Sequence, residues 1–205
     1  MMDGSISTAT RHDAGGRARY PLLEGVTGSA YFDGDHHEHR LTLARWWGKE
    51  KSETPPERFA LWIGMNPSTA EADIDDLTIR KEQTWTRMLD LDLACYVKMN
   101  VATYRCTDPL GLVAAAEQGN AVHPENLDTI ISKAVNATVV ILATGQVPAC
   151  IAPVADELFK RLRAAVPWEK VRCLGWTKRG WPKHSSRIGY NTPIVEWPAS
   201  GWVMP

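Results

Sequence analysis

The chain has 205 residues, 44% of them hydrophobic and 23% charged, with a formal net charge of -1 at pH 7. That suits one globular domain with a sizeable core and excludes a global polycation, so any contact with nucleic acid must come from a local basic patch. Four dispersed cysteines, Cys95, Cys106, Cys150 and Cys173, show no C-x-x-C spacing and read as reduced thiols, not a disulfide frame, zinc site or iron–sulfur cluster.

Residues 1–24 are rich in Gly, Ser, Thr, Ala and Arg without periodicity and are expected to form a flexible leader, with a single α/β domain over residues 25–205. No apolar segment of signal-peptide or membrane length occurs near the start, so a soluble cytoplasmic protein with no membrane partner is the expectation. Ser29–Phe32, the turn at Asp33-Gly34-Asp35 and the alternating run His39–Trp46 predict a β-hairpin. His36, His37 and His39 lack spaced partners and read as solvent-exposed loop histidines. Lys49–Glu57, with Pro55-Pro56, is a loop leading into the first buried strand.

That strand lies within Arg58–Ala70. An apolar run closes at Gly64 and is followed by Met65, Asn66, Pro67, Ser68 and Thr69. Continuous apolar runs closed by turn residues are typical of strands buried on both faces. Polar residues just past the carboxyl end of such a strand stand where open α/β sheets bind ligands, and Asn66 is the leading candidate. A plain β-to-α turn explains the same residues equally well. An acidic stretch then leads into a helix running to about Leu89, with Asp75 or Asp76 as its N-cap.

A second apolar run, Ala94–Ala102, places Asn100 at its end, with Arg105 in the following loop. Asp108-Pro109 opens a short helix, Asn126–Asn136 carries an amphipathic stripe, and Thr138–Gly145 is a third buried strand. A helix over Ile151–Leu162 and a strand over Val171–Gly175 follow. The alternation predicts an α/β fold: a three-layer α/β/α sandwich with a mostly parallel, roughly four-stranded central sheet, and the N-terminal hairpin packed on its edge.

The last strand delivers the segment Trp176–Tyr190. It holds Lys178, Arg179, Lys183, His184 and Arg187 interleaved with Trp176, Trp181 and Tyr190, and contains no acid. Cations for phosphates and aromatic planes for bases are what a nucleic-acid reader needs. The alternative is a solvated loop whose tryptophans fold back onto the core.

The words Trp62-Ile-Gly-Met-Asn-Pro-Ser-Thr-Ala, Asp75-Asp-Leu-Thr-Ile-Arg, Asn100-Val-Ala-Thr-Tyr-Arg-Cys-Thr-Asp-Pro and Leu174-Gly-Trp-Thr-Lys-Arg-Gly-Trp-Pro-Lys-His resemble those of a bacterial and phage family, the domain of unknown function 1643. That likeness spans residues 40 to 190 and assigns no activity. The strand ends are also similar, more distantly, to the uracil-DNA glycosylase superfamily. Its Gly-x-(Asp or Asn)-Pro motif stands here as Gly64-Met65-Asn66-Pro67, of the mismatch-specific uracil/thymine type. Its base-reading Asn matches Asn100, its apolar run plus Gly matches Ile141–Gly145, and its His-Pro-Ser loop matches His184-Ser185-Ser186, without the Pro.

This second resemblance implies a uracil-DNA-glycosylase-like fold and hydrolysis of the N-glycosidic bond of a flipped-out pyrimidine in DNA. A monomer with no cofactor or metal is the accompanying expectation. Asn66 and His184 would be catalytic. Gly64, Met65, Ser68, Asn100 and Arg105 would surround the base. Lys178, Arg179, Trp181, Lys183, Ser185, Ser186 and Arg187 would hold DNA, with Trp181 or Arg187 filling the vacated stack. The uracil-specific branch has a bulky aromatic after the motif's Pro. Ser68 is small, which implies a pocket that accepts a C5 substituent: a mismatched thymine or a modified pyrimidine of the kind phage DNA carries. Two rivals remain: a catalytically degenerate nucleic-acid or nucleotide binding module, and a metal-dependent phosphoesterase built on Asp73, Asp75 and Asp76.

Overall fold

The structure is a computed structural model and describes residues 19–47 and 58–197. The leader expected before Arg19 and the loop expected over Lys49–Glu57 lie outside the described residues.

Nine strands and four α-helices follow one another among those residues. The strands are β1 (Tyr20–Pro21), β2 (Val26–Asp33), β3 (His39–Trp47), β4 (Phe59–Gly64), β5 (Ile74–Asp75), β6 (Cys95–Asn100), β7 (Val139–Leu142), β8 (Val171–Cys173) and β9 (Val195–Glu196). The helices are α1 (Leu77–Met88), α2 (Pro109–Glu117), α3 (Asn126–Asn136) and α4 (Ala152–Ala165). The main sheet has seven strands in the order β2-β3-β6-β4-β7-β8-β9, and β1 pairs with β5 in a separate two-stranded ladder.

The sheet corrects the expected four-stranded, mostly parallel one. β6, β4, β7 and β8 run parallel, but β2, β3 and β9 add antiparallel pairings, so the sheet is mixed. The hairpin does not merely rest on an edge: β3 joins the sheet through β6, with Leu43 opposite Lys98 and Trp46 opposite Cys95. The end of the expected leader is tied down too, since Tyr20 pairs with Asp75.

Strand alternation divides the core in two. Leu61 and Ile63 of β4, Val97 and Met99 of β6, and Val140 and Leu142 of β7 pack with Leu112, Ile130, Ala134, Leu158 and Phe159 from α2, α3 and α4. Ala60 and Trp62, Tyr96, and Val139 and Ile141 pack with Ile79 and Trp85 of α1. The sheet is therefore covered by α1 on one face and by the other three helices on the opposite face. The fully buried Trp62 donates its indole N–H to Thr86 Oγ1 at 2.8 Å, so its burial leaves no polar atom stranded.

The helices begin where capping chemistry requires. Asp76 accepts from the Ile79 N–H at 2.9 Å, and Asp108 accepts from the Leu110 N–H at 3.0 Å with Pro109 in the first turn. Asp75 is not a cap. It is fully buried and pairs with the equally buried Arg45 at 2.9 Å and with Gln83 at 2.9 Å, fastening the segment before α1 to the hairpin.

Candidate functional site

β4 leads through α1 to β6 on one side of it, whereas β6 crosses back through α2 and α3 to β7 on the other. Such a reversal opens a crevice at the carboxyl ends of the strands. There the molecule has a cleft of about 830 Å³. Its lining draws on every parallel strand's exit: Met65, Asn66 and Ser68 after β4, Asn100 ending β6, Thr144 and Gly145 after β7, and Lys183, His184, Ser186 and Arg187 after β8.

Asn100 forms its floor. The residue is 1% exposed, and neither Oδ1 nor Nδ2 has a hydrogen-bond partner. Its backbone is held independently, because Asn126 at the head of α3 donates from Nδ2 to the carbonyls of Asn100 at 2.9 Å and Val101 at 3.0 Å. Gly64 lies beneath. A Cβ there would come within 2.7 Å of Lys98 Nζ and 2.8 Å of Asn100 Oδ1, so only glycine leaves room for both polar groups.

Asn66 donates from Nδ2 to the Cys106 carbonyl at 2.6 Å and to the Pro67 carbonyl at 3.3 Å. Both donors being spent on backbone, Oδ1 is the acceptor that remains to it. His184 accepts at Nδ1 from the Ser186 N–H at 3.1 Å and lies 2.8 Å from Ser186 Oγ, which puts the proton of the neutral ring on Nε2. Gly145, at φ +70, admits the His184 loop. A Cβ at that position would meet His184 Cβ at 2.8 Å.

The loop is fastened from α1. Lys81 Nζ donates to the Ser186 and Ile188 carbonyls, each at 3.0 Å, and Ser185 Oγ donates to Glu82 Oε1 at 2.7 Å. Glu82, fully buried, also accepts from Lys98 Nζ at 2.8 Å and from the Tyr96 hydroxyl at 2.5 Å. One carboxylate thus joins the strand that ends in Asn100 to the loop that carries His184. Burial first, and Glu82 second, push the Tyr96 phenol well above its ordinary range.

Several residues stand elsewhere than sequence reasoning placed them. Arg105 is buried behind the cleft, paired with Glu71 at 2.9 Å and lying over the Phe32 ring, and does not line the base pocket. Trp181 is 6% exposed and packs on Phe159, so it is no ready plug for a base stack. Trp176 likewise packs against the core, edge-on to Trp197. Ser185 is fully buried on Glu82 and out of reach of DNA. Lys178 and Arg179 are exposed in the same loop but outside the cleft lining, whereas Lys183 and Arg187 are exposed at its rim. His39 is a buried group bonded to Thr103 at 2.8 Å and Asn120 at 3.1 Å, unlike the exposed His36 and His37.

The three aspartates of the metal alternative do not converge. Asp75 is committed to Arg45 and Gln83, and Asp76 to the α1 cap. Among the described residues no group of three or more His, Cys, Asp or Glu is arranged to hold a metal ion. All four cysteines are free thiols. No helix among the described residues is long and apolar enough to cross a membrane.

Sequence reasoning missed Glu82, Lys98 and Arg40. Arg40 and Asp76 face the cleft as neighbours. Burial lowers the Arg40 guanidinium to about 10, against the opposing pull of Asp76. Burial also raises the Asp76 carboxyl above its usual value, opposed by the Ile79 N–H and Arg40.

Fold and site define an α/β protein with a ligand-sized cleft at the carboxyl edge of a mixed sheet, floored by an unsatisfied amide. The family model described as "Protein of unknown function (DUF1643)" matches residues 40–185, more than two thirds of the chain, and the chain belongs to this family. No curated protein and no solved structure matches it.

Proposed function

We propose that the cleft receives a pyrimidine turned out of DNA and that the protein hydrolyses its N-glycosidic bond. The observation carrying this reading is Asn100, a buried amide with one donor group and one acceptor left unpaired. Leaving such groups unpaired costs about 1–3 kcal/mol each. A ligand edge offering an acceptor beside a donor, such as a carbonyl next to the ring N–H of uracil or thymine, matches both. Four matching motifs at the ends of β4, β6 and β7 and in the loop after β8 support reading β6-β4-β7-β8 as a glycosylase-like core.

Each remaining residue has a task in that chemistry. Asn66 Oδ1 accepts a hydrogen bond from a water and aims it at the sugar C1′, without taking its proton. The water oxygen bonds to C1′ as the C1′–N1 bond breaks, and its electron pair leaves with the base as an oxyanion. His184 Nε2–H donates to that oxygen, a contribution of about 3 kcal/mol by analogy with other oxyanion donors. The water's proton ends on the departing base. Ser68, small and lining the cleft, leaves space beside C5 for a methyl or larger group.

Duplexes carrying uracil, mismatched thymine or 5-hydroxymethylated pyrimidines test the reading, with released base detected by mass spectrometry and abasic sites by alkaline cleavage. Release that is lost in Asn66→Ala and His184→Ala is the expected result. Binding without release across the panel would favour a degenerate binding module, a rival supported by the missing proline of the last motif.

A further inference from the structure

The cleft that holds the proposed base-reading floor also contains a cationic feature without assigned use. Arg40, the second residue of β3, is 2% exposed yet lines the cleft. A guanidinium presents five donors. Among the described residues that of Arg40 makes one hydrogen bond, from Nη1 to the Ala70 carbonyl at 2.9 Å, and its buried Nε has no partner.

The amino end of α1 opens onto the same space, with Leu77, Thr78 and Ile79 in the lining. The first N–H groups of a helix lack intrahelical acceptors and carry partial positive charge. Asp76 satisfies the Ile79 N–H, leaving those of Leu77 and Thr78 outside the helix's own bonding. Lys98, Lys183 and Arg187 add further cations, and Asp76 is the one carboxylate among the lining residues. A buried, under-used guanidinium beside a helix amino end is chemistry suited to a tetrahedral oxyanion.

We infer that Arg40 and the amino end of α1 form an anion subsite holding a phosphate of the nucleotide whose base Asn100 reads, an assignment that rests on the base-reading role given above. The phosphate belongs either to the DNA backbone or to a free nucleoside monophosphate.

Calorimetric titration of the full chain with thymidine, its 3′- and 5′-monophosphates, 2-deoxyribose 5-phosphate and a short single-stranded thymidine oligonucleotide tests this. At least one phosphorylated thymidine ligand is expected to bind tenfold or more tighter than thymidine. Preference for the oligonucleotide assigns the phosphate to DNA, and preference for a monophosphate assigns it to a free nucleotide. A folded Arg40→Met variant is expected to lose the difference. Should that variant not fold, the ligand series on the unaltered protein decides alone. Thymidine binding as tightly as every phosphorylated form overturns the subsite and leaves the base reading standing. Deoxyribose phosphate matching the monophosphates keeps the subsite and removes the base reading. A folded Arg40→Met protein that retains the full preference, or binding of no ligand at all, overturns the subsite.

Discussion

Replacing Asn100 by leucine separates ligand recognition from folding. The substitution is nearly isosteric, putting two methyl groups where Oδ1 and Nδ2 stand. Both polar atoms are buried and unpaired. The strand end keeps its position because Asn126 holds the backbone carbonyls, not the side chain. Removing unpaired polar atoms recovers about 1–3 kcal/mol of the desolvation cost. For a chain of this size each kcal/mol moves Tm by about 2–4 °C, so a rise of roughly 2–12 °C is expected. The assay is scanning calorimetry of the ligand-free protein, run beside pyrimidine binding by titration. Asn100→Leu is expected to melt higher and to bind no base. A variant that melts lower and still binds would refute the view that this amide is kept for a ligand.

Four further outcomes follow from the same geometry. Asn66→Asp, which would ordinarily strengthen water activation, sets a carboxylate oxygen against the Cys106 carbonyl where a 2.6 Å hydrogen bond now runs. Base release is therefore expected to fall, and a faster enzyme would contradict the assigned orientation of Asn66. Glu82→Ala strands the buried Lys98 ammonium, and a loss of about 3–5 kcal/mol in urea unfolding is expected, with an unchanged midpoint as the contrary result. Ser68→Tyr is expected to turn the pocket against thymine and toward uracil by about 10–200-fold in relative kcat/KM, since one methyl is worth about that much in a closed pocket.

The fourth concerns pH. Burial raises the folded-state pKa of Asp76 above its ordinary 3.8, so between the two values the folded chain binds more protons than the unfolded one. Stability from this group is thus lost as pH rises through that window. Asn caps a helix as well as Asp, so Asp76→Asn keeps the cap and removes the titration. The wild-type minus variant difference in unfolding free energy is expected to fall as pH rises from about 3.8 and then level off. A difference that does not change with pH would contradict it.

Much of the layered fold was legible because buried strands and amphipathic helices leave strong patterns. The apolar runs became β4, β6, β7 and β8, the Asp33-Gly34 turn became the β2–β3 connection, and the 126–136 stripe became α3. Asn66, Asn100 and His184 share one cleft because each follows a parallel strand, and parallel strands end on the same edge. What stayed hidden depends on long-range pairing. Lys98 inside an apolar run and Glu82 inside a helix look like surface charges until they meet between α1 and the sheet at 2.8 Å. Arg45 finds Asp75 thirty residues away. Trp181 and Ser185 sit in a basic, aromatic segment whose composition cannot say which side chains turn inward. The two-residue β9 is too short to show a period.

The central claim is that Asn100 grips the polar edge of a pyrimidine in this cleft, and a crystal structure of the protein with free thymine or uracil measures it most directly. The account predicts the ring against Met65 and Ser68, which line the cleft, with Asn100 Nδ2 donating to a base carbonyl and Oδ1 accepting from the ring N–H. A base bound elsewhere, or one lying in the cleft with the Asn100 amide still unpaired, would contradict it.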